Sequence, residues 1–512
     1  MLSLRLFASL LAVAAVACSS SAGSLEPAED LPPGVISTRG MELAKGLAIR
    51  EIALFQGPKV TLMKDGAKNE TRPAPVIANR RGLLRVYVTP AEDWTARDVV
   101  ATLTLSGGLG KKVATAQKAP TGPSTDEDLE STFNFDIDVD QIAFDTAYSV
   151  TLKTAPDQKA AGDGAAAQYP ADAVGGRSEP LEPKYTGDVL SVMIVPVQYN
   201  ADGSGRLPDT NEEQLERYRA GFSKLYPARK VEITVREKPF PWSTPITRTG
   251  SGFGEILNAM IRLRQTDGAP KGTYYYGAFA PASSFPTFCG GGCVAGLSPL
   301  AERPDQTWTA ASVGLGFGGD SAVGTATHEV GHGHGRNHSP CQPGGGTING
   351  LDTRYPYAGA TLGVWGFDIE AKALVNPTKN KDFMGYCQPD FVSDYTFGAL
   401  ATRMATVYGS SAYEIKAAPQ RFALVAVDAE GRLTSAGEVV SSDPPFGEPR
   451  PLTLALVDGK RVPVTGAFYP YDHLPGGLLV VPVEGRGVRA PVLAIEAREL
   501  VPGVTSKLDL AP

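Results

Sequence analysis

Apolar and polar residues alternate along the first part of the chain. The alternation runs through Leu84–Val88, Phe133–Val139 and Tyr148–Leu152, with turn residues between these stretches. A period of two is typical of strands that bury one face. The pattern predicts a β-sandwich over residues 41–154, after a Ser/Pro/Glu-rich tether at 19–40.

The middle of the chain has a different pattern, in which apolar runs alternate with helical periods. Residues 188–199 form a nearly continuous apolar run, as expected of a strand buried on both faces. Thr210 and Glu213 form a capping box in front of an amphipathic helix. A further helix is predicted at 254–265, and further strands at 230–236, 272–280 and 307–317.

This order of elements predicts an α/β (α+β) domain at 187–411, preceded by an Ala/Gly/Pro-rich linker at 155–186. The last part of the chain, 412–512, returns to a period of two. Leu452–Leu456 alternate into the turn dipeptide Asp458–Gly459, which predicts a hairpin. The expected fold class is an α/β (α+β) domain flanked by two all-β, sandwich-like domains.

The first residues have the pattern of an export signal. Arg5 precedes the apolar stretch Leu6–Ala17, which is too short to span a membrane comfortably. The small residues before Cys18 resemble a bacterial lipobox, in which the cysteine is acylated. We predict a lipoprotein-type signal peptide at 1–18 and a lipid anchor on Cys18 that holds the protein at the outer membrane or cell surface. Ordinary signal cleavage, giving a secreted or periplasmic protein, is the alternative.

Composition excludes several classes of protein. Hydrophobic residues make up 42% of the 512 residues and charged residues 20%, so the chain is not wholly disordered. The net charge of −7, with no basic block, argues against nucleic acid as a partner. The mean hydropathy of −0.11 and the single long apolar run exclude a protein with several membrane spans.

Five cysteines fit an oxidising compartment. Without Cys18, the remaining four allow three disulfide pairings. Proximity favours Cys289 with Cys293, which leaves Cys341 with Cys387. A cysteine-based zinc site is less favoured, because one C-x-x-x-C pair with two distant cysteines is not a usual spacing for structural zinc.

One segment concentrates the candidate chemistry, since four of the five histidines lie in HEVGHGHGRNH. His328 and His332 are four residues apart, so on a helix they share one face and can bind one metal ion. Gly335 can end that helix and turn the chain so that His338 becomes a third ligand. Glu329 is placed to act on a metal-bound water. The spacing predicts one catalytic Zn²⁺.

The other two histidines are not expected to be ligands. His334 is out of register with the ligand face and is predicted to contact the ligands or solvent. His473 is isolated in the sequence and is predicted to be structural or exposed. A helix with surface histidines is the alternative for the whole motif, but histidine is too rare in this chain to favour it.

The extended motif H-E-x-x-H-x-x-G-x-x-H resembles that of the metzincin zinc endopeptidases. That family also has a methionine turn beneath the metal, and DFMGYC offers Met384 for it. Tyr386 matches the tyrosine that, in astacin-like and serralysin-like members, ligates the resting zinc and stabilises the oxyanion. The resemblance implies a zinc metalloendopeptidase (EC 3.4.24 class) with Glu329 and Tyr386 as catalytic residues. It is closest to bacterial secreted metzincins that cleave mucin-like glycoproteins, so the implied substrate is a protein or glycoprotein.

The resemblance also carries two structural hypotheses. A Cys341–Cys387 bridge would tie the loop of the third histidine to the methionine turn. The strand at 307–317 would border the cleft and pair with extended substrate. Acidic loop residues could bind Ca²⁺, but no motif supports a calcium site. Two other functions remain open: a surface-anchored glycoprotein-binding protein or adhesin with a weak or latent protease domain, and a zinc hydrolase that is not a peptidase.

Overall fold

A computed structural model describes residues 31–156, 162–300, 308–409, 418–485, 487–498, 500 and 504–510. The predicted signal peptide at 1–18, the lipidation site Cys18 and residues 19–30 of the tether lie outside the described residues. Among the described residues, no helix is long and apolar enough to cross a membrane.

Two antiparallel sheets make up the N-terminal part. One has the order β1-β9-β6-β7, with β10 and β11 also paired to β9, and the other has the order β4-β3-β2-β5-β8. The apolar residues that alternate in β5, β8 and β9 lie in one core shared by both sheets. The strands are β1 (Glu42–Leu43), β2 (Leu47–Phe55), β3 (Lys59–Lys64), β4 (Ala67–Lys68), β5 (Gly82–Pro90), β6 (Val99–Gly107), β7 (Gly110–Lys118), β8 (Phe133–Ile137), β9 (Ala147–Thr154), β10 (Gln168–Tyr169) and β11 (Glu179–Pro180).

The segment at 155–186 is not the plain linker that its composition predicted. Both β10 and β11 pair with β9, so the described part of the segment folds back onto the N-terminal sheet. Tyr169 and Leu181 are buried and anchor it there. A few apolar residues therefore outweigh the Ala/Gly/Pro-rich background in fixing its position.

The middle part is built around a sheet of order β13-β12-β15-β17-β16, with β14 also paired to β12. All pairs are parallel except β16 with β17. The strands are β12 (Val189–Tyr199), β13 (Lys230–Val235), β14 (Phe240–Trp242), β15 (Thr273–Phe279), β16 (Gly296–Leu297), β17 (Ala311–Leu315), β18 (Gly366–Asp368), β19 (Ala373–Val375), β20 (Lys381–Asp382) and β21 (Asp390–Phe391). The helices are α1 (Glu212–Leu225), α2 (Phe253–Thr266), α3 (Phe285–Cys289), α4 (Asp320–Gly333) and α5 (Asp394–Gly409).

Two predictions in this part were wrong in detail. The N-cap of α1 is Asn211, whose side chain accepts from the backbone N–H of Gln214 at 2.8 Å, so the predicted capping box of Thr210 and Glu213 is displaced by one residue. The segment 307–317 is not the border of the cleft, because β17 is paired on both sides, with β15 and with β16. The edge strand of the sheet is β16, whose two residues show no strand period.

The C-terminal part is one antiparallel sheet of order β23-β22-β26-β25-β24-β27-β28. Residues of one of its faces form their own cluster, while alternate residues such as Phe422 and Leu424 pack against α2. A single seven-stranded sheet replaces the sandwich-like pair of sheets that we expected here, whereas the hairpin at Asp458–Gly459 is present. The strands are β22 (Gln420–Val427), β23 (Leu433–Ser441), β24 (Glu448–Leu456), β25 (Arg461–Pro470), β26 (Gly477–Pro482), β27 (Val492–Arg498) and β28 (Thr505–Asp509).

Candidate metal centre

Helix α4 carries the first two histidines of the motif. Its buried face includes Ala326 and Val330, which belong to the main core and fix the helix against the sheet. His328 and His332 lie one turn apart on this helix. Gly335 then adopts a left-handed conformation, with φ of 79°, and its N–H donates to the carbonyl of His332 at 2.8 Å. The predicted helix end is therefore present, and only glycine takes this conformation without strain.

His338 is fixed by backbone contacts on both sides. Its N–H donates to the carbonyl of Gly350 at 2.8 Å, and its own carbonyl accepts from the N–H of Asp352 at 2.8 Å. These contacts hold the loop after α4 so that the His338 ring returns to the helix. The three histidines of the motif are thus brought together by one helix and one pinned loop.

The three rings converge through the same nitrogen. Nε2 of His332 lies 3.1 Å from Nε2 of His328 and 3.1 Å from Nε2 of His338. All three residues are buried, and their ligand atoms form a group that could hold a metal ion. Burial lowers the pKa of all three rings, that of His338 to about 3, so they are neutral at physiological pH, the form that binds metal.

The opposite ring nitrogens explain why Nε2 is free to act as a ligand. Nδ1 of each histidine faces a backbone carbonyl: that of Phe383 at 2.9 Å for His328, of Arg336 at 2.6 Å for His332 and of Asn349 at 2.6 Å for His338. A carbonyl can only accept, so Nδ1 carries the proton and Nε2 carries the lone pair. Three lone pairs aimed at one another are repulsive without a cation between them, so the donor set fits zinc.

Glu329 is enclosed beside the histidines. It is buried, and one of its carboxylate oxygens has no hydrogen-bond partner among the described residues. Burial raises the pKa of Glu329 well above its ordinary value, and the charge of Asp472 adds to the effect. A Cβ on Gly296 of β16 would lie 2.5 Å from Glu329, so this carboxylate needs glycine on the neighbouring strand.

The turn with Met384 and Tyr386 lies against the other side of the histidines. A Cβ on Gly331 of α4 would lie 2.4 Å from the Met384 sulfur, so the methionine packs directly on the helix. The Tyr386 hydroxyl lies 2.7 Å from Nε2 of His338, and its ring stacks on that of His328. Burial raises the pKa of Tyr386 above its ordinary value, which keeps the phenol protonated.

Both favoured disulfides are present. Cys289 is bonded to Cys293, and Cys341 to Cys387. The second bridge joins the loop after His338 to the turn after Met384, as the resemblance implied. The N–H of Tyr386 also donates to the carbonyl of Cys341 at 2.9 Å, so the two loops are tied at the backbone as well.

Two further residues at this site were missed from the sequence. Asp472 and His473, in the connection between β25 and β26, reach the centre, and the ring of His473 lies 6.1 Å from that of His338. His473 was predicted to be structural or exposed; it is half-buried and hydrogen-bonded to Asp472, and its place beside the centre was missed because no sequence spacing links a distant loop to the motif. The ring of His334 is buried and stacked on Tyr274 at 4.1 Å, so it does not contact solvent.

The centre is that of a metallopeptidase: three convergent imidazoles, with a glutamate on the same helix. A family model, Peptidase M66, matches residues 307–429, a range that contains all three histidines and Glu329. The match and the histidine cluster together support a zinc metallopeptidase, which implies a protein substrate. No curated protein matches the chain.

Proposed function

We propose that this protein is an exported zinc endopeptidase that hydrolyses peptide bonds of extracellular proteins or glycoproteins. The observation that carries the proposal is the convergence of three Nε2 atoms, each with its Nδ1 proton held by a carbonyl, beside Glu329 on the same helix. Such a set leaves a coordination position open for chemistry.

Two features of the fold favour the metzincin type. The sheet is parallel except for its edge strand β16, which runs antiparallel next to the strand that leads into α4. The turn at Met384 packs on α4 within the histidine motif. Neither feature is needed to hold a metal, so each supports the resemblance independently of the histidines.

The residues divide the proposed chemistry between them. Zinc, when bound, would lower the pKa of a water molecule and polarise the substrate carbonyl. Glu329 would accept a proton from the attacking water and pass it to the leaving amine. Tyr386, protonated and 2.7 Å from His338, is placed to donate to the oxygen that becomes negative. A nearby divalent cation opposes the effect of burial on Glu329 and favours its ionised, proton-accepting form.

Metal analysis and proteolysis, performed together, test the proposal. We expect about one zinc per chain and cleavage of casein or mucin that a chelator abolishes. Glu329→Gln should keep the zinc and lose cleavage by about 10²-fold or more, whereas His332→Ala should lose the zinc. Glu130→Gln, on an exposed side chain, is the matched control and should change neither. A wild-type protein that binds no zinc would refute the proposal.

The result also separates the remaining alternatives. Zinc with glycoprotein binding, but without turnover of any substrate, would favour the adhesin with a latent protease domain. Zinc with hydrolysis of esters or small amides, but not of proteins, would favour a hydrolase of another kind.

We also propose that Cys18 is acylated and anchors the protein at a membrane surface. The support is the apolar stretch and the small residues that precede this cysteine. Cys18→Ser should move the protein from the membrane fraction to the soluble fraction and abolish incorporation of labelled fatty acid. If the wild type incorporated no fatty acid and Cys18→Ser fractionated like the wild type, ordinary signal cleavage would be favoured.

A further inference from the structure

The connection between β25 and β26 leaves the C-terminal sheet. It lies on the edge of the mostly parallel sheet of the middle part, which we call the catalytic sheet. We call residues 470–474 the tip segment. The N–H of Leu300 donates to the carbonyl of Pro470 at 3.0 Å, and the N–H of Asp472 donates to the carbonyl of Ser298 at 3.1 Å. Tyr471 forms an antiparallel bridge with Pro299. The tip segment therefore pairs, as an added strand would, with the chain that continues β16.

Side chains fix the tip segment at both ends. The Tyr471 hydroxyl donates to Oδ1 of Asn258 on α2 at 3.1 Å, in a buried position. Leu474 lies close to Gly250, where a Cβ would come within 2.7 Å of its side chain. These contacts hold the tip segment against α2 and the segment that precedes it, close to the metal centre.

The tip segment places a carboxylate in the centre. Oδ1 of Asp472 accepts from the N–H of Ser298 at 3.0 Å, while Oδ2 lies 3.3 Å from Nε2 of His332 and accepts from Nδ1 of His473. Asp472 is only 1% exposed. Its ligand atom lies within 4.8 Å of those of Glu329 and His332, in a group that could hold a metal ion.

Distance and charge both favour a direct contact between Asp472 and the metal. Ligand atoms on a tetrahedral zinc ion are about 3.3 Å apart, since zinc bonds to nitrogen and oxygen measure about 2.0–2.2 Å. The distances from Nε2 of His332 fit that spacing: 3.3 Å to Asp472 and 3.1 Å to each of the other two histidines. The Asp472 ligand atom also lies within 4.8 Å of a ring nitrogen of His338. Glu329 and Asp472 also bring two carboxylates into one buried space, which is costly unless a divalent cation lies close to both.

We propose that Asp472 is a fourth protein ligand of the resting metal centre, and that the tip segment holds the enzyme in a latent form. It fills the coordination position that water and substrate need. It also lies along the edge of the chain that continues β16, because the backbone of 470–472 pairs with 298–300. An extended peptide can use that edge only after the tip segment moves. This inference rests on the proposed function.

The first test measures the metal rather than the activity. We expect Asp472→Asn and Asp472→Ala to raise the zinc dissociation constant, by about tenfold or more in a chelator competition. They should also change the visible absorption of the cobalt-substituted protein and tighten the binding of azide to cobalt. Asp458→Asn, in an exposed turn of the same sheet, is the matched control. An unchanged cobalt spectrum and an unchanged dissociation constant would overturn the proposal.

The second test measures latency. With saturating zinc, Asp472→Asn should cleave a peptide faster than the wild type, whereas a merely structural role for Asp472 would make it slower. Leu474→Ala loosens the tip segment without touching the metal and should act in the same direction, so the test survives if the Asp472 variants do not fold. Slower cleavage by both variants would overturn the proposal.

The two proposals fail in different ways. A wild type without zinc contradicts the proposed function itself. If the wild type binds one zinc, Glu329→Gln abolishes cleavage, and the Asp472 variants change neither zinc affinity nor cleavage, then the proposed peptidase function stands and only the proposed latency is refuted.

Discussion

At the scale of single residues, the site depends on close packing around each functional side chain. The histidine spacing alone places two ligands on one face of α4, but the carbonyls that orient the rings come from Phe383, Arg336 and Asn349. Glycine is needed wherever the backbone approaches a functional side chain, as at Gly296 beside Glu329 and Gly331 beside Met384. The contact at Gly296 gives the first prediction.

Gly296→Ala should displace the Glu329 carboxylate, because its Cβ would lie 2.5 Å from that side chain. We expect cleavage to fall by about 10²-fold while zinc stays bound, since a small misplacement of a catalytic group has a large kinetic cost. Gly324→Ala is the control: it lies on α4 with nothing within 4 Å of its Cβ. It should leave cleavage unchanged and stabilise the protein by about 0.5–1 kcal/mol. Equal activity of Gly296→Ala and wild type would contradict the geometry.

His334 should make the fold sensitive to acid. Burial lowers its pKa from 6.5 to about 3, and the charges of Arg403 and Arg336 add to the effect. Below pH 6.5 the unfolded chain therefore takes up a proton that the folded chain does not, so stability falls as the pH falls. From pH 7.5 to 5, the wild type should lose about 2 kcal/mol more unfolding free energy than His334→Asn.

Denaturant titrations at the two pH values, with zinc present in both proteins, measure this difference. Asn is chosen because its amide can keep the bond that Nδ1 of His334 makes to the carbonyl of Val330 at 2.8 Å. Parallel pH profiles for the two proteins would show that His334 does not titrate as proposed.

At the scale of elements, two loops carry the rest of the centre, and the Cys341–Cys387 bridge ties them together. It spans 46 residues, whereas the Cys289–Cys293 bridge spans four. By chain entropy, removing the long bridge should cost about 4 kcal/mol and removing the short one about 2 kcal/mol. Only the Cys341→Ala/Cys387→Ala variant should also weaken zinc binding, because it frees the loop of His338. Thermal unfolding and chelator competition measure both effects, and equal zinc affinity of the two double variants would contradict this role.

The elements that sequence patterns predict are those with a local signal. The histidine motif lies on one helix and one turn, so its geometry follows from helix periodicity and one glycine. The edge strand β16 has two residues and no period, and its place depends on pairing with β17. Asp472 reaches the centre only because the whole C-terminal sheet packs on α2, and no local pattern encodes that packing.

At the scale of the whole molecule, the N-terminal sheets share their core with the catalytic part. The main cluster includes Leu84 and Val150 from the sheets as well as Phe222 of α1 and Val330 of α4. A segment that is removed on activation would not be expected to share a core with the enzyme that it releases. The shared core therefore argues against removal of the N-terminal part, and the C-terminal tip segment is the better candidate for control of activity.

Arg80 links the N-terminal part to the catalytic part through buried hydrogen bonds. Its guanidinium, fully buried, donates to the carbonyls of Ser223 at 2.7 Å and Ala228 at 2.5 Å, and to that of Gln56 at 2.9 Å. Burial lowers its pKa to about 9, which still leaves the guanidinium charged at neutral pH. A lysine cannot reach all three acceptors from one rigid plane.

Arg80→Lys should therefore reduce the unfolding free energy by about 2–4 kcal/mol, because buried carbonyls lose their donors. Arg81→Lys, at the next position, is the matched control: its side chain is 45% exposed and pairs with Glu370 on the surface, so the change should stay within about 0.5 kcal/mol. Calorimetry should also show that Arg80→Lys lowers the transition of the catalytic part together with that of the N-terminal part. If only the N-terminal transition moved, the two parts would unfold independently, and the shared core would not count against removal of the N-terminal part.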